Sequence, residues 1–162
     1  MKQLKCLGLD PGLAIIGWAL LGGKESLHPQ LYDYGTIETD KSLSTPARLT
    51  IIEGDMVSLI SELQPDLVAV EMPFFSREIK AAGGVLQAVG IINLVCYREL
   101  QITPIFLHQA SWKAYLGNGK ANKAEVAETI QSLFTLPDLP INDTVDAIAI
   151  AYAAFGGLRN NI

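Results

Sequence analysis

Basic side chains are in short supply in this chain. Twelve Lys and Arg stand against seventeen Asp and Glu, a net charge of −5 with both histidines neutral. Phosphate binding wants a basic surface, so this balance argues against a nucleic-acid partner unless positive charge is gathered in one cleft or carboxylates are gathered around cations. Charge of either sign is sparse, at 18% of residues against 49% hydrophobic. That composition buries enough apolar surface to offset ordering entropy, which excludes an intrinsically disordered chain. Cysteine is nearly missing. Cys6 and Cys96 form no pairing framework, which excludes a disulfide-stapled scaffold and fits a reducing cytoplasm. No hydrophobic run reaches the roughly 20 residues that a membrane span requires. The longest uncharged stretch, Ala81 to Tyr97, contains Gln87, Asn93 and three glycines. The opening MKQLKCLGLD meets Asp10 before any hydrophobic region of signal-peptide length, so no secretory signal is expected. Repeats, low-complexity tracts and linkers are absent too. A length of 162 residues predicts one domain, residues 1–162.

What is present reads as strands first, then alternating helices and strands. Leu4 to Leu9, Ala14 to Leu21 and Leu31 to Thr39 are apolar or β-rich runs, separated by Asp10-Pro11-Gly12 and Gly22-Gly23. Three strands with short connections predict an antiparallel meander. From Thr45 to Leu63 the period changes: Leu49, Ile52, Met56, Leu59 or Ile60, and Leu63 recur at three and four residues, an amphipathic helix stopped by Pro65-Asp66. Short strands follow at Leu67 to Val70 and Pro104 to Leu107, around a long helix from Ile79 to Leu100 that is apolar on more than one face. Ser111 to Leu116, Asn122 to Phe134 and Asp143 to Phe155 complete the chain as helices. The order predicts an α/β fold on a mixed sheet.

Two carboxylates fall at strand C-terminal ends, Asp10 and Glu71, where open α/β sheets bind ligands. Asp143 and Asp146 lie three residues apart in the first turn of the last helix and share a face. If the two strands are neighbours and the helix packs over their ends, four carboxylates converge. Such a cluster raises the pKa of some members unless hard divalent cations neutralise it. Two ions about 3.5–4 Å apart would make a phosphoryl-transfer site. Plainer roles stand beside this one. Asp before Pro-Gly is a turn former, and Asp143 is equally suited to capping its helix. Glu71 is harder to place as ornament, since a charge ending a buried strand needs a partner.

Taken together these residues resemble the RuvC-type Holliday junction resolvases, which have an RNase H-like fold. Gly8-Leu9-Asp10-Pro11-Gly12-Leu13-Ala14 with Gly17-Trp18 resembles the family's opening strand motif, and Tyr34-Gly35-Thr36-Ile37 its third strand. Arg48-Leu49 resembles the start of its first helix. Pro65 to Glu71 followed by Phe74-Phe75 resembles its second catalytic motif. Gly117-Asn118-Gly119-Lys120-Ala121-Asn122-Lys123 resembles its glycine–lysine loop, and Asp143-Thr144-Val145-Asp146-Ala147-Ile148-Ala149 its final acidic motif. The matches fall in order across nearly the whole chain.

The resemblance implies a five-stranded mixed sheet, a three-stranded antiparallel meander plus parallel strands, flanked by helices. It implies that Asp10, Glu71, Asp143 and Asp146 are catalytic and hold Mg²⁺, two ions per site, with Mn²⁺ as a substitute. Lys123 would act with them, and Phe74, Arg77, Lys80, Lys113, Lys120 and Lys123 would contact DNA, Phe74 by stacking on an unpaired or distorted base. Core packing for Phe74 and a solvated surface for the lysines are the alternatives. The implied reaction is in-line attack of water on phosphodiesters at symmetric positions of a four-way DNA junction, leaving 5′-phosphate and 3′-hydroxyl ends, in recombination and repair. The implied partners are a second copy of the chain, joined through helix 79–100, and a branch-migration helicase complex; the implied location is the cytoplasm.

The segment Ser76 to Gly90 departs from the family pattern. Glu78 stands for the usual Asn, Ala81-Ala82 for Ser-Ala, and Leu86-Gln87-Ala88-Val89-Gly90 for Gly-Gln-Ala-Arg-Gly. Fewer phosphate contacts weaken DNA binding and its salt dependence, while the carboxylates are untouched. A nuclease of the same fold acting on other structured nucleic acid, such as a ribosomal RNA precursor, is therefore a rival reading. A non-cutting junction binder is another, although negative charges near phosphates serve no pure binder. An actin-like ATPase would need a second lobe, and the chain lacks GxxxxGK[ST]. Neither histidine nor the lone cysteines supply a readable nucleophile–base pair.

Overall fold

The computed structural model describes residues 2–24, 27–73 and 79–159, with no side chains described for 79–82. Three strands come first: β1 (Gln3–Asp10), β2 (Ile15–Lys24) and β3 (Gln30–Glu38). There follow α1 (Thr45–Leu63), β4 (Leu67–Glu71), α2 (Ile79–Leu100) and β5 (Ile105–Leu107). Helices α3 (Gln109–Tyr115), α4 (Lys123–Phe134) and α5 (Asn142–Phe155) close the chain. The strands form one sheet in the order β3-β2-β1-β4-β5. β1–β2 and β2–β3 are antiparallel, the expected meander, while β1–β4 and β4–β5 are parallel. Among the described residues no helix is long and apolar enough to cross a membrane.

Local signals account for the boundaries. Ser44 caps α1 through the Ala47 amide, Pro46 occupies its first turn, and Gln64 ends it in the left-handed region at φ 48°. Asp66 then guides the chain beside β1: its amide donates to the Lys5 carbonyl and its carboxylate accepts from the Lys5 amide, both at 2.9 Å. Asn122 caps α4 by accepting from the Glu125 amide at 2.9 Å. Aromatic rings cover two sheet glycines. Trp18 lies over Gly35 and Tyr32 over Gly22, which restores packing where the strand has no side chain of its own.

Alternation along the strands divides the core in two. Leu7, Leu9, Ile16, Leu20, Val68 and Val70 face α1 and α2, where Ile52, Met56, Ile60, Ile92 and Val95 meet them. Cys6, Ala19, Leu21 and Ala69 face the other way, toward α3, α4 and α5. Cys6 and Cys96 are buried free thiols in different cores. By the same period of two, Gly8 and Asp10 of β1 and Glu71 of β4 belong to the face covered by α5.

Helix α5 lies directly on the sheet because the contact surfaces are small. A Cβ on Gly8 would meet the Ala147 carbonyl and the Ala151 backbone, and one on Gly17 would overlap the Asp143 carbonyl. Gly8→Ala should therefore lose about 1–3 kcal/mol of stability, the ordinary cost of overpacking a filled core. Urea unfolding measures this, and a change of under about 0.5 kcal/mol, as at an ordinary surface site, would show that the helix has room to move away.

Candidate metal centre

Asp10 and Glu71 are brought together by the β1–β4 register. Leu9 pairs with Val70, so the next residue of each strand is a carboxylate on the same face and at the same sheet edge. Helix α5 then lowers its first turn over them. One carboxylate oxygen from each of Asp10, Glu71 and Asp146 lies within 4.8 Å of the others. Asp143 lines the same cleft, of about 360 Å³. All four predicted carboxylates therefore meet, three as a tight group and Asp143 beside them. Capping by Asp143 is excluded: the cap position is Ile141, and Asp143 sits inside the first turn. There it faces the partial positive charge of the helix N-terminus.

The charges are held against their preference. Burial, then Glu71, Asp146 and Asp143, push Asp10 up to about 9. Burial and Asp146 push Glu71 up to about 7, opposed by a hydrogen bond from Asp10 and by the charge of Lys113. Burial raises Asp146 to about 6, Asp143 adds to it, and Lys113 and Lys123 oppose it. The group thus lacks counter-charge that two lysines do not fully provide. Its donors are carboxylate oxygens with no thiol or imidazole among them. That set suits a hard divalent cation such as Mg²⁺ or Mn²⁺ rather than zinc, and the residues fit such an ion.

Of the predicted basic residues, Lys123 lines the acidic cleft. It is placed by the Gly117–Asn122 turn, in which Asn118 Oδ1 accepts from the Lys120 amide at 3.0 Å before Asn122 starts α4. Lys113 leans over the buried Trp112 ring, its Nζ 5.8 Å from the centroid, and its charge reaches Glu71 and Asp146. Lys120 is exposed in the turn and does not line the cleft. Phe74 and Arg77, like Phe75 and Glu78, lie outside the described residues, as does the side chain of Lys80. Val89, at the place of the family's Arg, is buried rather than facing outward. Gln109 and Asn142 also line the cleft, and no motif in the sequence marks either as a site residue. Their signal was positional: Asn142 precedes Asp143, and Gln109 follows the C-terminal end of β5, the side on which such sheets bind ligands.

Residues 6–154 match the family model of crossover junction endodeoxyribonuclease RuvC. The protein of that description from Synechocystis sp. is 65% identical over 156 residues, covering 96% of this chain and 93% of its own length. That from Halothermothrix orenii is 39% identical over 160 residues, covering 96% and 94%. Among solved structures, T. thermophilus RuvC in complex with Holliday junction substrate has a TM-score of 0.83 at 26% identity, over 94% of this chain and 93% of that one. The yeast mitochondrial Holliday junction resolvase shares the fold, with a TM-score of 0.64 at 12% identity over 93% and 78%.

The raised carboxylates set a pH dependence. An acid whose pKa is higher folded than unfolded keeps a proton that the unfolded chain gives up, so stability falls as pH rises between the two values. In chelator, stability should fall from about pH 4 through 6 and 7 toward 9, the range spanned by the unperturbed carboxylates and by Asp146, Glu71 and Asp10 in the fold. Asp10→Asn should flatten this decline and raise the melting temperature at pH 8. A variant that melts lower than the parent in chelator at that pH would contradict the repulsion described above.

Proposed function

The chain belongs to the RuvC family of crossover junction endodeoxyribonucleases, and we propose that it resolves four-way DNA junctions by paired, symmetric phosphodiester hydrolysis with Mg²⁺ at the acidic cleft. The observation that carries this reading is the convergence of Asp10, Glu71 and Asp146 oxygens within 4.8 Å in a family member. Asp10, Glu71 and Asp146 would hold the ion, and Asp143 adds charge at the side of the cleft. A divalent cation bound there supplies counter-charge for the phosphate and activation of water, and Mn²⁺ would serve in its place. Lys123 and Lys113 present positive charge at the rim, where the scissile backbone must enter an otherwise acidic site. The products would carry 5′-phosphate and 3′-hydroxyl ends. Two reduced, buried cysteines suit a cytoplasmic setting.

Paired cuts on symmetric strands call for two active sites related by a two-fold axis. Helix α2 offers a surface for this. One of its faces packs into the core through Ala88, Ile92, Val95 and Cys96. Another presents Leu86, Leu94 and Tyr97, exposed by 41%, 50% and 68%. Gly83 and Gly90 lie on the same stripe with nothing within 4 Å of an added Cβ. The spacing of three and four residues makes a continuous apolar seam with room for close approach. A second copy meeting this seam would form the homodimer.

Nicking of a labelled four-way junction in Mg²⁺ tests the reaction. The parent should give paired symmetric nicks, and Asp10→Asn, Glu71→Gln and Asp146→Asn should each fall by about a hundredfold or more. Junction binding without nicking by the parent in Mg²⁺ and Mn²⁺ would overturn the proposal in favour of a non-cutting binder. Cleavage of structured RNA with junctions left intact would overturn the substrate.

Light scattering tests the assembly. The parent should run as a dimer at micromolar concentration. Leu94→Glu, which places a charge on the seam, should give a folded monomer whose nicks are no longer paired. A monomeric parent would remove α2 from the argument.

A further inference from the structure

Helix α5 begins under strain from its own charges. Its first two turns bring Asp143 and Asp146 toward Asp10 and Glu71, and like charges at that range push the start of the helix away from the sheet. The cap position gives no help, because Ile141 makes no side-chain bond to the turn. Thr144 lies between the two carboxylates. It is 1% exposed, and with Thr39 it is one of two buried polar side chains among the described residues. Its hydroxyl does not bond back along its own helix. It donates to the carbonyl of Gly35 in β3 at 3.1 Å, across 109 positions of sequence.

Helix propensity does not explain a threonine at this position. The rest of α5 is rich in alanine, at 147, 149, 151, 153 and 154, and a β-branched residue loses side-chain freedom in a helix. Two contacts together fix the turn. The close meeting of Gly17 with the Asp143 backbone sets its height above the sheet. The Thr144–Gly35 bond sets its rotation about the helix axis, since it holds one side of the turn to the edge strand.

We propose that Thr144 is a positioning residue for the metal centre: by anchoring the first turn of α5 to Gly35 it fixes the direction in which Asp143 and Asp146 present their carboxylates. This deepens the reading given above and rests on it. Thr144 does not line the acidic cleft. It acts through its two neighbours, as outer-shell partners of metal ligands do.

Mn²⁺ titration by calorimetry, with thermal melts in chelator, tests this. Thr144→Val keeps the shape and removes the hydroxyl, and should weaken Mn²⁺ binding about tenfold. Thr144→Ser keeps the hydroxyl and should bind close to the parent. Ile148→Val loosens the same helix through core packing alone, and should lower the melting temperature without changing Mn²⁺ affinity. Thr144→Ala removes the hydroxyl with a smaller side chain and is read in the same way, so the result does not depend on the Val variant folding. Parent-like Mn²⁺ binding by the variants lacking the hydroxyl would overturn the proposal. So would an equal loss in Ile148→Val, which would reduce Thr144 to general helix stability. If the parent itself binds no Mn²⁺, the metal reading falls first and the proposal with it.

Discussion

Repulsion among carboxylates in a cleft that water only partly reaches is the constraint to which the other parts of this structure answer. Asp10, Glu71 and Asp146 oppose one another at under 4.8 Å, and burial makes each charge dearer still. An arrangement of this kind persists only where the surroundings over-determine it. Here they do so with two apolar cores, one on each face of the sheet. Their combined burial outweighs the local cost, at a site where stability is given up for chemistry. Lys113 and Lys123 relieve part of the repulsion, and Asp143 faces the partial positive charge at the N-terminus of α5.

Sheet topology makes that convergence possible. β1 and β4 are parallel neighbours, so their C-terminal ends meet at one edge. An antiparallel pairing would have sent Asp10 and Glu71 to opposite ends of the sheet. A register shift of one residue would have turned one of them into the α1–α2 core. The third element must then approach both strand ends closely. It does so over Gly8 and Gly17, where the sheet offers no side chain. Small residues here have a positional purpose: they determine how near a helix bearing two aspartates comes to a strand bearing another.

Much of this was legible in the sequence, for identifiable reasons. The sequence places helix α1 at Thr45 to Leu63 and α2 at Ile79 to Leu100, as the structure has them, because proline and a regular apolar period mark α1 and a long stretch apolar on more than one face marks α2. The other elements agree within a few residues at their ends, where caps rather than periodicity decide. Asp10 and Glu71 were readable from their place at the ends of strands. Their adjacency was only conditional, because pairing between residues 61 positions apart leaves no local pattern. The same limit hid Gly8 and Gly17 as the bed of α5, and the bond from Thr144 to Gly35. In sequence, Thr144 is merely a polar residue between two aspartates. Only the tertiary contact shows that its hydroxyl faces the sheet.

Distance in sequence is also why net charge misleads as a guide to the partner. Of seventeen acidic and twelve basic residues, four carboxylates with Lys113 and Lys123 belong to the cleft, which leaves thirteen acidic against ten basic ones elsewhere. The cleft therefore accounts for a formal −2 of the net −5, and the acidity that counted against nucleic acid is in part the metal centre itself. Those four groups do not present four full charges to an approaching phosphate. Burial and mutual repulsion hold three of them toward their protonated forms, and a bound divalent cation would reverse the sign of the field at the cleft. A phosphodiester would then be drawn to the one place that the composition made repulsive. It would bind weakly elsewhere on a surface with no basic excess, so affinity should depend on the metal more than on a broad phosphate-binding face.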